Sequence, residues 1–229
     1  MQHMNQVQSA QSAQSAHSNE LNAKALTVLR AARKVFLTHG FSAATTDMIQ
    51  REAGVSKSTV YAYYANKEAL FTAVIEAECA ALTNTVNGIE FRPGKLRETL
   101  TMLAQAYLNI VLSPSGLALF RVVVAEAQRF PKLARAFYLA GPQVMTATVA
   151  EQLAHAAESG EVDLSEVGRD TAASLFINLV RGEPQFQCLT HPEATPSSAQ
   201  IDQWAHAAVV TFMLAYGRST GKSKKYPRS

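Results

Sequence analysis

Cysteine is scarce. Only Cys79 and Cys188 occur in 229 residues, and they lie far apart. A disulfide framework and zinc-type spacing are thereby excluded, and a reducing, cytoplasmic setting is expected. Charge is thin as well. Only 17% of residues are charged, against about 25% in ordinary globular chains. With 48% apolar residues, the composition is that of a packed globular protein and not of a disordered polyelectrolyte. No uncharged apolar run approaches the ~18 residues of a membrane-crossing helix. The opening MQHMNQVQSAQSAQSAH lacks the apolar middle of a secretory signal. Glycine numbers only 11, and no phosphate-binding glycine loop, nucleophile elbow or HExxH is present. The six histidines are scattered. Glu151, His155 and Glu158 share one helical face, but a di-iron helix needs Glu-x-x-His on two helices. A solvated, ion-paired face is expected there, with no catalytic residue, no metal ligand and no cofactor. A helical enzyme is the rival class.

What is present is helical almost throughout. Leu21, Ala25, Val28, Ala32, Val35 and Phe36 recur at three and four, one apolar stripe of an amphipathic helix. Later stripes run through Leu70/Val74/Ile75/Leu82, Leu96/Leu100/Leu103/Tyr107/Ile110 and Ile201/Trp204/Ala208/Phe212/Tyr216. Breakers separate them at Pro93-Gly94, 113–116, Phe130-Pro131, Gly160, 182–184 and 192–198. An all-α fold of about nine helices is predicted. The QSA repeat makes 1–17 a disordered tail on composition. Residues 18–82 form a first domain of short, close-set helices. Residues 83–216 form a second of longer, more apolar ones. Residues 217–229, with five basic and no acidic side chains, are a flexible tail able to attract phosphate.

The informative stretch is TTDMIQREAGVSKSTVYAYYANKEALF, residues 45–71. Thr45 or Thr46 caps a short helix with Asp47 in its first turn, where the dipole favours an acid. Gly54 makes a tight turn, and Ser56 caps the next helix. Val55 and Val60 have the spacing of a hydrophobic staple. Asn66 caps a further helix. Two short helices across a glycine turn make a helix-turn-helix, whose second helix can enter the major groove of DNA. With Val60 and Tyr64 turned inward, Lys57, Ser58, Thr59, Tyr61 and Tyr63 occupy its outer face. Hydroxyls, phenols and a cation can all donate to phosphate or to base edges. Such a face argues against the other rival, a protein-interaction module on the same scaffold.

These motifs resemble the DNA-binding domain of the TetR family over 21–82. The matching residues are Phe36, Gly40-Phe41, Thr45-Thr46, Ile49, Ala53-Gly54-Val55-Ser56, Val60-Tyr61-Ala62-Tyr63-Tyr64 and Asn66-Lys67-Glu68-Ala69-Leu70. Val60 and Tyr64 replace the usual Leu and Phe, and Gln50, Ser58 and Ala62 also depart from common choices. The resemblance implies phosphate contacts at Thr46 and Tyr63 and a phosphate clamp at Lys67. It implies base reading by Lys57, Ser58 and Thr59, and a backbone and thymine-methyl contact at Tyr61. Residues 120–142 are similar to the AefR-like subgroup of this family.

The resemblance therefore implies a homodimeric repressor on double-stranded DNA with a near-palindromic operator, released by a small hydrophobic inducer, with no membrane partner. Two helices, near 165–180 and 199–216, are nominated for dimerisation on Ala172/Leu175/Phe176/Leu179 and Trp204/Ala208/Val209/Phe212/Met213. For a ligand pocket the candidates are Met102, Tyr107, Phe120, Phe137, Tyr138 and Met145. An aromatic or Met stripe of this kind is more often core. Cys79 is expected on the apolar side of a helix and Cys188 in a loop.

Overall fold

The computed structural model describes the backbone of residues 2–193 and 195–218, and the side chains from Leu21 onward except at 81, 82 and 87. Ten helices make up the described residues: α1 (Gln2–Ala43), α2 (Thr46–Ala53), α3 (Lys57–Tyr63), α4 (Lys67–Asn87), α5 (Leu96–Val111), α6 (Pro114–Glu126), α7 (Pro131–Ala140), α8 (Pro142–Glu158), α9 (Arg169–Thr190) and α10 (Ser198–Tyr216). A single antiparallel bridge, Val162 with Gly217, is the only β pairing among them.

The chain divides into two compact units, Met1–Ala77 with Val122–Ala136, and Glu78–Arg121 with Phe137–Ser229. The division falls inside α4, a few residues before the boundary expected near 83. The return of Val122–Ala136 to the first unit has no local signature in the sequence.

In the first unit, α1 is helical from Gln2, where the polarity of the repeat predicts disorder. Ala and Gln are good helix formers, and no Gly or Pro interrupts the chain before Gly40. At Gly40 the backbone leaves the helix, with φ 76°, and the chain turns. The core is aromatic: Phe36, Phe41 and Phe71 are fully buried, with ring centroids 4.9 to 5.8 Å apart. Val28, Ala32, Ile49, Val60, Leu70 and Val74 complete it. α4 over Lys67–Val86 has the length and hydropathy of a membrane-crossing helix, a feature that the search for uncharged runs passes over. It carries Glu68, Glu76 and Glu78 and buries Leu70, Phe71, Val74 and Ile75, as a core helix does.

In the second unit, α5, α8, α9 and α10 surround a core of Leu100, Leu103, Tyr107, Met145, Val149, Leu153, Phe176, Val209 and Phe212. The start of α5 is held by a carboxylate: Glu161 accepts from Gly94 N at 2.9 Å and Leu96 N at 3.0 Å. α9 corrects two expectations. It begins at Arg169 and does not end at Val180, because Gly182 and Pro184 lie inside it. Pro184 removes one helix hydrogen bond, but it is buried, so packing outweighs the local break. Cys188 consequently sits in a helix and is 3% exposed, not in a loop. Of the expected basic tail, 219–229 lies outside the described residues.

Both thiols are protected. Burial, with a smaller contribution from the charge of Glu78, pushes Cys79 up to about 11. Burial raises Cys188 as well. At pH 8 about one part in a thousand of Cys79 is then thiolate. Native protein should resist iodoacetamide at pH 8 and take up two labels when unfolded in urea. Rapid labelling of the native protein would show that a thiol is exposed.

Candidate functional site

The first unit shapes a helix-turn-helix from local signals. Thr45 is the cap of α2, its side chain accepting from Met48 N at 3.2 Å, which leaves Thr46 as the first helical residue. Gly54 ends α2 in the left-handed region, at φ 65° and ψ 30°. A side chain there costs about 1–2 kcal/mol, so the tight turn depends on glycine. Ser56 caps α3, accepting from Thr59 N at 3.2 Å. Val60 is buried behind it and Val55 half-buried, the positions of a staple. Asn66 Oδ1 accepts from Ala69 N at 2.7 Å and starts α4.

Seven residues are expected to meet DNA, and the structure places them in unlike situations. Tyr61 projects from α3 and is 45% exposed. Its hydroxyl lies 3.4 Å from Thr46 Oγ1, long for a bond between hydroxyls, so it is nearly uncommitted. Thr46 and Tyr63 are half-buried. Lys57 is exposed but paired with Asp47 Oδ1 at 3.0 Å, and the hydrogen bond to Asp47 raises its pKa. An ammonium at the positive end of a helix is unfavourable, and the Asp47 carboxylate offsets it while bracing α2 against α3. The hydroxyls of Ser58 and Thr59 each lie 2.8 Å from Ser56 Oγ. They turn back to the cap, so reading a base with either one breaks a short bond.

Lys67 departs most from expectation. Its ammonium donates to the carbonyls of Phe41 at 2.9 Å and Ala44 at 3.0 Å and lies 3.5 Å from that of Ser42. It also lies 4.5 Å from the centroid of the Phe41 ring. A lysine has three donors, and here they are turned to the backbone at the end of α1. In this structure Lys67 braces the turn, because these carbonyls are otherwise orphaned at a helix end, whereas the resemblance implies a phosphate clamp.

Around the same turn, the Glu126 carboxylate accepts from Ser42 N at 2.9 Å and Ser42 Oγ at 2.8 Å, and Arg129 donates to Ser42 Oγ at 3.2 Å. Phe130 meets Phe41 edge-on at 4.7 Å. Glu126, Arg129 and Phe130 escaped the sequence reading, since nothing local marks a partner more than 80 residues away.

In the second unit, a mainly apolar cavity is lined by residues of α4 to α9, among them Tyr107, Phe120, Phe137 and Arg181. Of the expected ligand residues, Tyr107, Phe120 and Phe137 reach it. Met145 is core, and Met102 and Tyr138 are exposed. The nominated dimerisation residues also divide. Ala172, Phe176, Ala208, Val209 and Phe212 are buried within the chain, because the inner faces of α9 and α10 build its own core. Facing outward are Leu175, Leu179 and Phe186 on α9 and Leu214 on α10, from 41% to 81% exposed. Glu151 and His155 form no closed cluster: His155 Nδ1 lies 3.7 Å from Glu158 Oε2 on an exposed face.

Residues 28–74 match the family model described as bacterial regulatory proteins, tetR family. Residues 98–218 match that of the AefR-like transcriptional repressor C-terminal domain. The chain is 26% identical over 159 residues to the HTH-type transcriptional regulator UidR of Escherichia coli K12, covering 68% of this chain and 76% of that one. Among solved structures, the Flavonoid-responsive Regulator FrrA is similar at 34% identity and a TM-score of 0.72, over 86% of this chain and 98% of that one. A TetR-family regulator from Mesorhizobium loti shares the fold at 24% identity and a TM-score of 0.77, over the same shares of each chain.

Proposed function

The chain belongs to the TetR family of bacterial regulatory proteins, with an AefR-like C-terminal domain; it is a DNA-binding transcriptional regulator, and we propose that it is a homodimeric cytoplasmic repressor, released from a near-palindromic operator by a small apolar molecule. The observation that carries the operator reading is the outer face of α3. There Tyr61 is exposed with its hydroxyl nearly uncommitted, beside Lys57 and above a cap rich in hydroxyls. α3 is then the helix that enters the major groove. Tyr61 makes the leading contact, Lys57 keeps two protons for phosphate or guanine, and Ser58 and Thr59 read bases by giving up their bonds to Ser56. Thr46, with a free amide at the start of α2, takes a phosphate, and Tyr63 flanks the backbone. No reaction is assigned to any residue.

The ligand reading draws on the cavity of the second unit and on the similarity to FrrA, a protein named for its response to flavonoids. α6 carries Leu119 and Phe120 in the cavity wall and ends at Glu126, which holds Ser42 beside the Lys67 brace. A ligand that binds more tightly when α6 is displaced draws Glu126 away from Ser42 and shifts the reading helices. The coupling equals the difference in its affinity for the two conformers.

In vitro selection against random duplex DNA at about 150 mM salt tests the operator reading, salt being stated because binding depends on it steeply. A near-palindrome with half-sites about one turn apart is expected. Enrichment of single half-sites, or none from folded protein, would refute it. On the selected operator, Tyr61→Ala should lower affinity about tenfold to a hundredfold, the worth of one good contact, with an unchanged circular dichroism spectrum. Unaltered affinity would remove Tyr61 from the interface.

A further inference from the structure

The cavity of the second unit is not uniformly apolar. Leu119, Phe120 and Phe137 form much of its wall, as apolar side chains do in most small-molecule pockets. Ser113 adds little polarity to it, since its hydroxyl already donates to Ile110 O at 2.7 Å and accepts from Gly116 N at 3.0 Å. The charged groups on the wall are Arg181 and Glu78. Arg181 shares the wall with Tyr107, a residue only 2% exposed. A guanidinium offers five donors in a fixed fork. An anion meeting it gains charge-assisted hydrogen bonds, roughly twice as strong as neutral ones. The Tyr107 hydroxyl on the same wall can donate as well. Gln185, one turn further along α9, is 7% exposed and lines the same cavity.

We propose that this cavity selects a flat, largely apolar anion, whose acidic oxygens are held by Arg181 and the Tyr107 hydroxyl while its rings lie against Phe120 and Phe137. The assignment rests on the reading of this cavity as the inducer site. Both would follow from one arrangement: the charged end fixes orientation, and the apolar body presses on the α6 wall.

The test uses the full-length protein and two probes of nearly equal shape, biphenyl-4-carboxylate and biphenyl-4-carboxamide, compared by calorimetry. The carboxylate should bind about tenfold to a hundredfold more tightly than the amide, the range of one charge-assisted contact. Arg181→Met, which keeps the stem and removes the charge, should abolish that preference. Tyr107→Phe should reduce it, and serves as the readout where Arg181→Met does not fold. Equal affinities in the wild type, a preference that survives both substitutions, or no binding of either probe would overturn the assignment. Carboxylate binding that depends on Arg181 but leaves the selected operator occupied would uphold the anion site and refute ligand release. The two readings therefore fail separately.

Discussion

Leu175→Asp with Leu179→Asp should convert the protein to a monomer and lower operator affinity by about a thousandfold or more, toward the nonspecific range. Both leucines face outward one turn apart on α9, 41% and 45% exposed. Phe186 continues the row, and Leu214 of α10 is 81% exposed. Large apolar side chains in such a row are costly in water, and a two-fold axis would bury each against its own copy. Two aspartates there would bring four carboxylates together in a drying interface, a penalty far beyond the lost apolar contact. The α9 residues that face the core, Ala172 and Phe176, are untouched, so each chain should stay folded. Losing the dimer severs the link between two half-sites, and each α3 must then bind alone. Sedimentation would give the mass and fluorescence anisotropy the affinity. A dimer that survives the double substitution would move the interface elsewhere.

The divide between α9's inner and outer faces also shows what the amino-acid order could reveal. An apolar helix announces burial, but not whether its partner is its own chain or a copy. Leu175 and Phe176 are neighbours in the sequence with opposite fates, and only the packing of α8 and α10 separates them. The helix-turn-helix was legible because its devices are local. Thr45 with Met48, Ser56 with Thr59, Asn66 with Ala69, and Gly54 between helices all act within a turn or so of chain. The contacts that decide what each site residue can do were not legible. Lys57 meets Asp47 across the turn, Lys67 meets carbonyls more than 20 residues back, and Ser42 meets Glu126 from another part of the chain. Pro184 misleads for the same reason. Its local preference is to break a helix, and the buried face of α9 overrides it.

Lys67→Met distinguishes a brace from a clamp, because the two roles leave different marks on salt dependence. If the ammonium serves the carbonyls of Phe41 and Ala44, its loss leaves buried acceptors unmatched at the end of α1. Each hydrogen bond to a charged group contributes about 1.5–3 kcal/mol, so about 3 kcal/mol of stability should go, with partial compensation by water. The melting temperature should fall by several degrees. Operator affinity should fall as well, since Ala44 adjoins the Thr45 cap and loosening it misplaces Thr46 and α2. The slope of log affinity against log salt should not change, because no phosphate contact has been removed. A direct phosphate clamp would behave in the opposite way. Stability would hold, affinity would drop, and the slope would flatten by about one phosphate's share. Lys67→Arg adds a second discrimination. A guanidinium keeps the charge for a phosphate but is too broad and planar to repeat the ammonium's grip on adjacent carbonyls. It should therefore rescue a clamp and fail to rescue a brace.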